Sequence, residues 1–140
     1  MMKVSVHLSF NGTCEEAFAT YTRVMDGTLA YSMRYRDSPM ANQVPPDWQD
    51  KLYHATIEVG GITILGGDHL PKEQPQGFSL VVNPATPDDA RRVFDALADG
   101  GVIQMPLDET FWSPAFGVVV DRFGVPWTIN CELAAAPSVG

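Results

Sequence analysis

Basic residues and long apolar runs are both scarce in this sequence. Nine Lys and Arg stand against 17 Asp and Glu, which gives a net charge of −8. A nucleic-acid-binding domain needs a basic stripe, and the sequence has none. Its apolar runs fall short of the ~20 residues that span a bilayer. The opening MMKVSVHLSF is too short and too alternating for a signal peptide. We therefore expect neither a nucleic-acid nor a membrane partner.

Cysteine is scarce as well. The two thiols, Cys14 and Cys131, supply neither a disulfide framework nor the spacing of a zinc site. This composition favours a reduced, cytoplasmic setting. The sequence also has no Ser-His-Asp arrangement, phosphate loop or nucleotide fingerprint. What remains is a chain of 140 residues, which is enough for one domain with a buried core.

A repeat is the most informative feature that the sequence does contain. The segment TCEEAFATYTRVMDGT, from Thr13, returns 73 residues later as TPDDARRVFDALADGG, from Thr86. Each copy begins with a capping threonine three residues before an acidic one, and each carries one apolar face. Gly27 and Gly100 are predicted to end the two helices in the left-handed conformation. The repeat indicates a duplicated module.

Strand patterns surround both predicted helices. In VSVHLSF, apolar residues alternate with polar ones, which places His7 and Ser9 on the face away from the helix. Tight turns join YHATIEV to ITILGG, and FGVVVD to VPWTINCE. Each module is thus predicted as β-α-β-β-β. Module one covers about 3–68, the linker about 66–77 and module two about 77–133, with a flexible tail at 134–140.

The segments LSFNGTCEEAF, PPDWQDKLYHATIEVGG and PLDETFWSPAFGVVVDRFGVPWTINCE carry a family resemblance. Together with the paired modules, they resemble the PhnB-like branch of the vicinal oxygen chelate superfamily, which includes glyoxalases, bleomycin-resistance proteins and extradiol dioxygenases. The resemblance implies an α+β fold in which two βαβββ modules form a curled mixed sheet, in a single domain over 1–135. Some members of the branch have been labelled ubiquinone-pathway methyltransferases, but this sequence has no glycine-rich nucleotide loop after a strand.

The resemblance also implies an open cup, in which metal-dependent relatives place one ligand on the first and one on the last strand of each module. His7 and Glu132 occupy two of these four places. The repeat aligns the other two places with Leu80 and Gly67, which offer no suitable side-chain donor. We therefore predict no site with four protein ligands.

Three further residues remain candidates for the metal. A one-residue slip would bring in Asp68, His54 could reach from a neighbouring strand, and His69 in the linker is the weakest candidate.

Other residues suit a small organic ligand. Trp112, beside Phe111, would form an aromatic wall. Along WTINCE, the alternation directs Trp127, Ile129 and Cys131 toward the helix. Asn130 and Glu132 are then left facing the cup. Asn130 could orient a ligand carbonyl, and Glu132 could act as a general base.

One proline-rich segment, 36–50, lies outside the repeat and carries Trp48. Loops of this length often serve function, and we predict that it covers the cup as a mobile lid.

Two functions fit these patterns. In the first, the protein binds a small organic molecule without a full metal site, as resistance-type relatives sequester a drug. The alternative is a divalent-metal-dependent lyase, isomerase or glutathione-transfer-type enzyme. Glu132 is the catalytic candidate, and His7 with Glu132 are the metal candidates. The predicted ligand-binding residues are His7, Ser9, His54, Trp112 and Asn130.

We also predict a homodimer, since two-fold pairs are the commonest oligomers and edge strands offer free backbone groups. Pairing of modules within one chain or between two chains is open.

Overall fold

Both halves of the chain fold as β-α-β-β-β, as the repeat predicts. The computed structural model describes residues 2–69 and 77–132. The chain divides into two compact units, Met1–Glu73 and Gln74–Gly140, here called unit one and unit two. The predicted flexible tail at 134–140 and most of the predicted linker lie outside the described residues. That the two units make a single domain stays a prediction.

Unit one is a four-stranded mixed sheet with one helix. The strand order is β1-β4-β3-β2, and β1 runs parallel to β4. The elements are β1 (Val6–Phe10), α1 (Cys14–Val24), β2 (Thr28–Arg34), β3 (Leu52–Val59) and β4 (Ile62–Asp68).

Unit two repeats this topology in the order β5-β8-β7-β6, with β5 parallel to β8. The elements are β5 (Leu80–Val82), α2 (Pro87–Ala98), β6 (Val102–Asp108), β7 (Ala115–Val120) and β8 (Pro126–Cys131). Among the residues with described structure, no helix is both long and apolar enough to cross a membrane.

Each helix covers one face of its own sheet. In unit one, Phe18 and Tyr21 of α1 are buried along with Phe10 and Ile57 of the strands. In unit two, Phe94 and Leu97 of α2 are buried along with strand residues such as Trp127, Ile129 and Cys131. Burying a large apolar side chain contributes about 2 kcal/mol, so these faces form the cores. The opposite side of each sheet is called its open face below.

The start of α1 differs from the prediction. The capping box fails, because the side chain of Thr13 makes no capping hydrogen bond. Instead, Oδ1 of Asp68 accepts from the N–H groups of Gly12 and Cys14, at 3.0 and 2.9 Å. In α2 the predicted cap is present, since Thr86 Oγ1 accepts from the N–H of Asp89 at 3.1 Å.

The end of α1 also differs. Asp26, not Gly27, takes the left-handed conformation, with φ of 54°. Gly27 is instead required by close packing, because a Cβ there would lie 2.6 Å from Val59 Cγ2. At the end of α2, Gly100 has φ of 74°, as predicted.

The 36–50 segment contains short turns of 3-10 helix, two of which are Ala41–Gln43 and Pro46–Trp48. Trp48 is buried edge-on against Tyr35, with ring centroids 5.9 Å apart. Gln49 donates to the carbonyls of Ala41 and Val44, which holds the turns together. Trp48 therefore anchors the segment within unit one. That the segment moves on ligand binding stays a prediction.

Candidate ligand-binding faces

The open face of unit one carries His7 and Ser9, as the alternation of β1 predicts. Leu8 and Phe10 are buried, whereas His7 and Ser9 are exposed. In the parallel ladder, His7 lies opposite Leu65 of β4, and Ser9 lies opposite Gly67.

His69 joins His7 at this face, although it follows β4 and was the weakest candidate. The rings of His7 and His69 are 5.8 Å apart. The backbone N–H of His69 donates to the carbonyl of Phe10 at 2.7 Å, which fixes the residue beside the end of β1. Its Nε2 is buried and has no hydrogen-bond partner among the described residues.

His54 lies on the same face, through β3. Its Nε2 is 3.2 Å from the hydroxyl of Thr56, and its ring is 6.0 Å from that of Tyr31 on β2. Partial desolvation lowers the pKa of His7, and the imidazoles of His69 and His54 lower it further.

The two remaining metal places cannot supply side-chain ligands. A Cβ at Gly67 would meet Tyr53 O at 2.6 Å and His69 Nε2 at 3.1 Å, so position 67 has room only for glycine. Leu80 pairs with the buried Trp127 and so belongs to the helix-covered face. This corrects the repeat alignment. The residues on the open face are Val81 of β5 and Ser79, which precedes β5 and bonds to Thr128, and neither is a usual ligand.

Asp68 does not replace the missing ligand, because its buried carboxylate is hydrogen-bonded to backbone N–H groups. It is 1% exposed. Besides its bonds at the start of α1, Oδ2 accepts from the N–H of Leu52 at 3.0 Å. Within residues 2–69 and 77–132, no group of three or more His, Cys, Asp or Glu side chains is arranged to hold a metal ion. The residues described in each unit therefore do not fit a complete metal site.

The open face of unit two carries Thr128 and Asn130, as predicted for β8. Trp127, Ile129 and Cys131 are buried, and the residues between them are half-buried. Thr128 shares a hydrogen bond of 2.8 Å with the hydroxyl of Ser79. The Asn130 carbonyl oxygen, Oδ1, is buried and lacks a partner among the described residues.

Aromatic rings adjoin Asn130. Phe116 of β7 is its register partner, which places the two side chains next to each other on one face. The ring of Trp112 lies edge-on to Phe116 at 5.2 Å, and Phe111 lies edge-on to Trp112 at 4.7 Å. Trp112 and Asn130 are thus linked through Phe116, a residue that the sequence analysis did not single out.

Glu132 follows the last residue of β8 and is exposed. It belongs to unit two and His7 to unit one. That these two residues line one cup stays a prediction. The neighbouring Cys131 is buried, as predicted, and burial raises the pKa of its thiol.

Comparison with known proteins gives the family. A family described as 3-demethylubiquinone-9 3-methyltransferase matches residues 2–130. Protein YjdN of Escherichia coli is 37% identical over 92% of this chain and 95% of its own length.

Solved structures agree with this result. Protein PA1353 from Pseudomonas aeruginosa is 41% identical, with a TM-score of 0.84 over 94% of this chain and 98% of that one. A putative 3-demethylubiquinone-9 3-methyltransferase, PhnB protein, from Bacillus cereus is 28% identical, with a TM-score of 0.80 over 94% and 100%.

More distant structures share only the fold. The fosfomycin resistance protein FosX from Listeria monocytogenes is 7% identical, with a TM-score of 0.65 over 95% of this chain and 94% of that one. The chain belongs to the PhnB-like family described as 3-demethylubiquinone-9 3-methyltransferase, and its α+β fold is of the glyoxalase/bleomycin-resistance type.

Proposed function

We propose that this protein binds a small organic molecule against the open faces of its sheets, in the cup that the family resemblance implies, and does so without a full metal site. One observation carries the proposal. Two buried polar atoms, His69 Nε2 and Asn130 Oδ1, lack partners in the described part of the chain, and both adjoin an open face. A buried polar atom without a partner costs about 1–3 kcal/mol, which a ligand group could recover.

The surroundings of these atoms support an organic ligand. Each residue adjoins a ring: His7 lies next to His69, and Phe116 lies next to Asn130. Trp112 in turn packs on Phe116. Ligand pockets are mostly apolar and aromatic, with a few placed polar groups. Ser9 and His54 extend the polar side in unit one.

Methyl transfer, which the family description names, has less support from the residues. A nucleotide-type cofactor is often held by free N–H groups at the turn between a strand and a helix. In unit one, the N–H groups of Gly12 and Cys14 are already bound by the Asp68 carboxylate, which would also repel an anion. In unit two, the side chain of Thr86 already accepts a hydrogen bond from the N–H of Asp89 at the start of α2.

Native mass spectrometry of the purified protein tests the proposal. We expect a retained organic mass that disappears on denaturation, and we expect His7→Ala and Asn130→Leu to reduce its occupancy. Glu109→Gln, which changes an exposed loop residue, is the control. Failure to retain any small molecule from a cell extract, in repeated preparations of folded protein, would count against the proposal.

A metal-dependent lyase, isomerase or glutathione-transfer-type enzyme is the second candidate. The closeness of His7 and His69 favours it, since together they offer two imidazole donors on one face of the sheet. Divalent ions of this type need about four donors, so Glu132 or water would have to supply the others. Elemental analysis of protein purified without chelators decides this: a stoichiometric metal that is lost in His7→Ala would favour the enzyme.

A further inference from the structure

The side-chain carbonyl oxygen of Asn130 lacks a hydrogen-bond partner in the part of the chain that the structure describes, whereas two polar groups near it have partners. Thr128, two residues earlier on the same face, has its hydroxyl bound to Ser79. The backbone carbonyl of Asn130 is bound as well, by the side-chain amide of Asn83 at 2.9 Å. The side-chain carbonyl oxygen of Asn130, by contrast, is buried without a donor among the described residues. A carbonyl oxygen accepts hydrogen bonds and cannot donate, so the missing partner is a donor.

The rings beside Asn130 define the rest of the ligand. Phe116 lies next to Asn130 in register, and Trp112 and Phe111 continue the row by edge-on contacts. Phe111 is 92% exposed and Trp112 43% exposed, so the row of rings that begins at Phe116 leaves aromatic surface uncovered. Rings of this kind attract a flat apolar or aromatic group by stacked or edge-on packing.

We infer that the open face of unit two recognises a flat, ring-containing ligand that carries an N–H or O–H donor, with Asn130 accepting that hydrogen and Phe116 and Trp112 packing on the ring. The inference rests on the proposed function and adds the chemical class of the ligand. It also reverses the role predicted from sequence, in which Asn130 would orient a ligand carbonyl: here the amide carbonyl accepts and the ligand donates.

Indole and 1-methylindole form a matched pair of probes, because they share the ring and differ only in the N–H donor. Titration followed by amide shifts in two-dimensional NMR measures both affinities. A hydrogen bond to a buried acceptor contributes about 1.4 kcal/mol, so indole should bind about tenfold more tightly than 1-methylindole. The largest shifts should be those of the Asn130 side-chain amide and the Trp112 indole N–H.

Substitutions test whether Asn130 is the residue that causes the preference for indole. Asn130→Leu keeps a similar volume and removes the acceptor, so the tenfold preference for indole should fall to about twofold or less, while 1-methylindole binds as before. Trp112→Ala should weaken both probes together. Gln104→Leu makes the same exchange of an amide for an alkyl group on the exposed strand β6 and should leave the preference unchanged. Circular dichroism melts confirm that each variant is folded.

The outcomes separate this inference from the broader proposal. Equal binding of the two probes, failure of both to bind, or an indole preference that survives in folded Asn130→Leu would each overturn the inference. If Asn130→Leu does not fold, Asn130→Asp replaces it: a carboxylate keeps the acceptor, so the preference for indole should persist or grow, and its loss would contradict the assignment. None of these results bears on whether the native protein retains a small molecule, which mass spectrometry decides separately.

Discussion

The structural role of a residue can differ from the role that its sequence position suggests, and Asp68 is the clearest case. By sequence it lies one place from a metal-ligand position. In the structure it accepts three backbone N–H groups, from Gly12, Cys14 and Leu52. A buried carboxylate held by three donors fixes the start of α1 against β3 and β4.

Asp68→Asn tests this role. An amide offers one acceptor oxygen and turns its NH₂ toward a backbone donor, so at least one charge-assisted hydrogen bond is lost and one repulsive contact is created. We expect a loss of about 3 kcal/mol in the free energy of unfolding, measured by urea titration. Asp99→Asn, at an exposed carboxylate after α2, is the matched control and should change stability little. A stable Asp68→Asn protein would show that the carboxylate is dispensable.

His7 gives a prediction about pH. Because its pKa is lowered in the folded state, the unfolded chain binds the proton more tightly. Stability from this group is therefore complete above the ordinary histidine pKa of about 6.5 and decreases as the pH falls below it. Proton NMR of the ring should give a midpoint below the ordinary value.

Removing a neighbouring imidazole separates the causes of the shift. His69→Asn should move the His7 midpoint upward, because it removes a like charge 5.8 Å away between ring centres. His54→Asn should move it less, since His54 contributes less to lowering the pKa. If the His7 midpoint is unchanged in both variants, desolvation alone lowers the pKa of His7.

At the scale of elements, alternation and turn chemistry were enough to predict the strands and the open-face residues of β1 and β8, although the repeat alignment placed Leu80 on the wrong face. His7 and Ser9 on β1, and Thr128 and Asn130 on β8, lie where period-two patterns place them. The His69 contact was not predictable in the same way, because it depends on how the chain leaves β4. Its backbone bonds to Phe10, a residue far away in sequence, and no local pattern encodes such a contact.

The helix ends illustrate the same limit. A Gly after a helix usually signals the left-handed conformation, yet here the preceding Asp26 adopts it. Gly27 is needed for a tertiary reason, the approach of Val59 and of the Glu58 carbonyl. Sequence shows that a glycine is needed near the end of α1 but does not show which of two physical reasons applies.

Paired substitutions distinguish these reasons. Asp26→Gly should stabilise the protein by up to about 1 kcal/mol, since a left-handed residue with a Cβ is strained. Gly27→Ala should destabilise it by about 1–3 kcal/mol through overpacking. Thermal unfolding measures both, and Asp99→Gly, at a residue with negative φ, should give no gain. A destabilised Asp26→Gly would show that the side chain contributes more than its backbone strain costs.

At the scale of the whole molecule, the outer strands bear on assembly. In unit one β2 is a sheet edge, and in unit two β6 is. Both expose large apolar side chains, including Leu29 on β2 and Ile103 on β6, which are 55% and 51% exposed. Edge strands with apolar side chains tend to pair with another chain unless something covers them. Pro106 on β6 removes one backbone donor, so side-chain packing would have to contribute much of that contact.

The predicted homodimer follows from these edges, and light scattering at micromolar concentration tests it. We expect a mass of about twice 15.3 kDa. Leu29→Lys or Ile103→Lys, whichever edge is used, should shift the mass toward that of the monomer, because a charge would be buried in the contact. Val4→Lys, at a 95% exposed residue before β1, is the control and should leave the dimer intact. A parent protein with the mass of one chain would refute dimerisation. A dimer that withstands both strand substitutions would place the contact elsewhere on the surface.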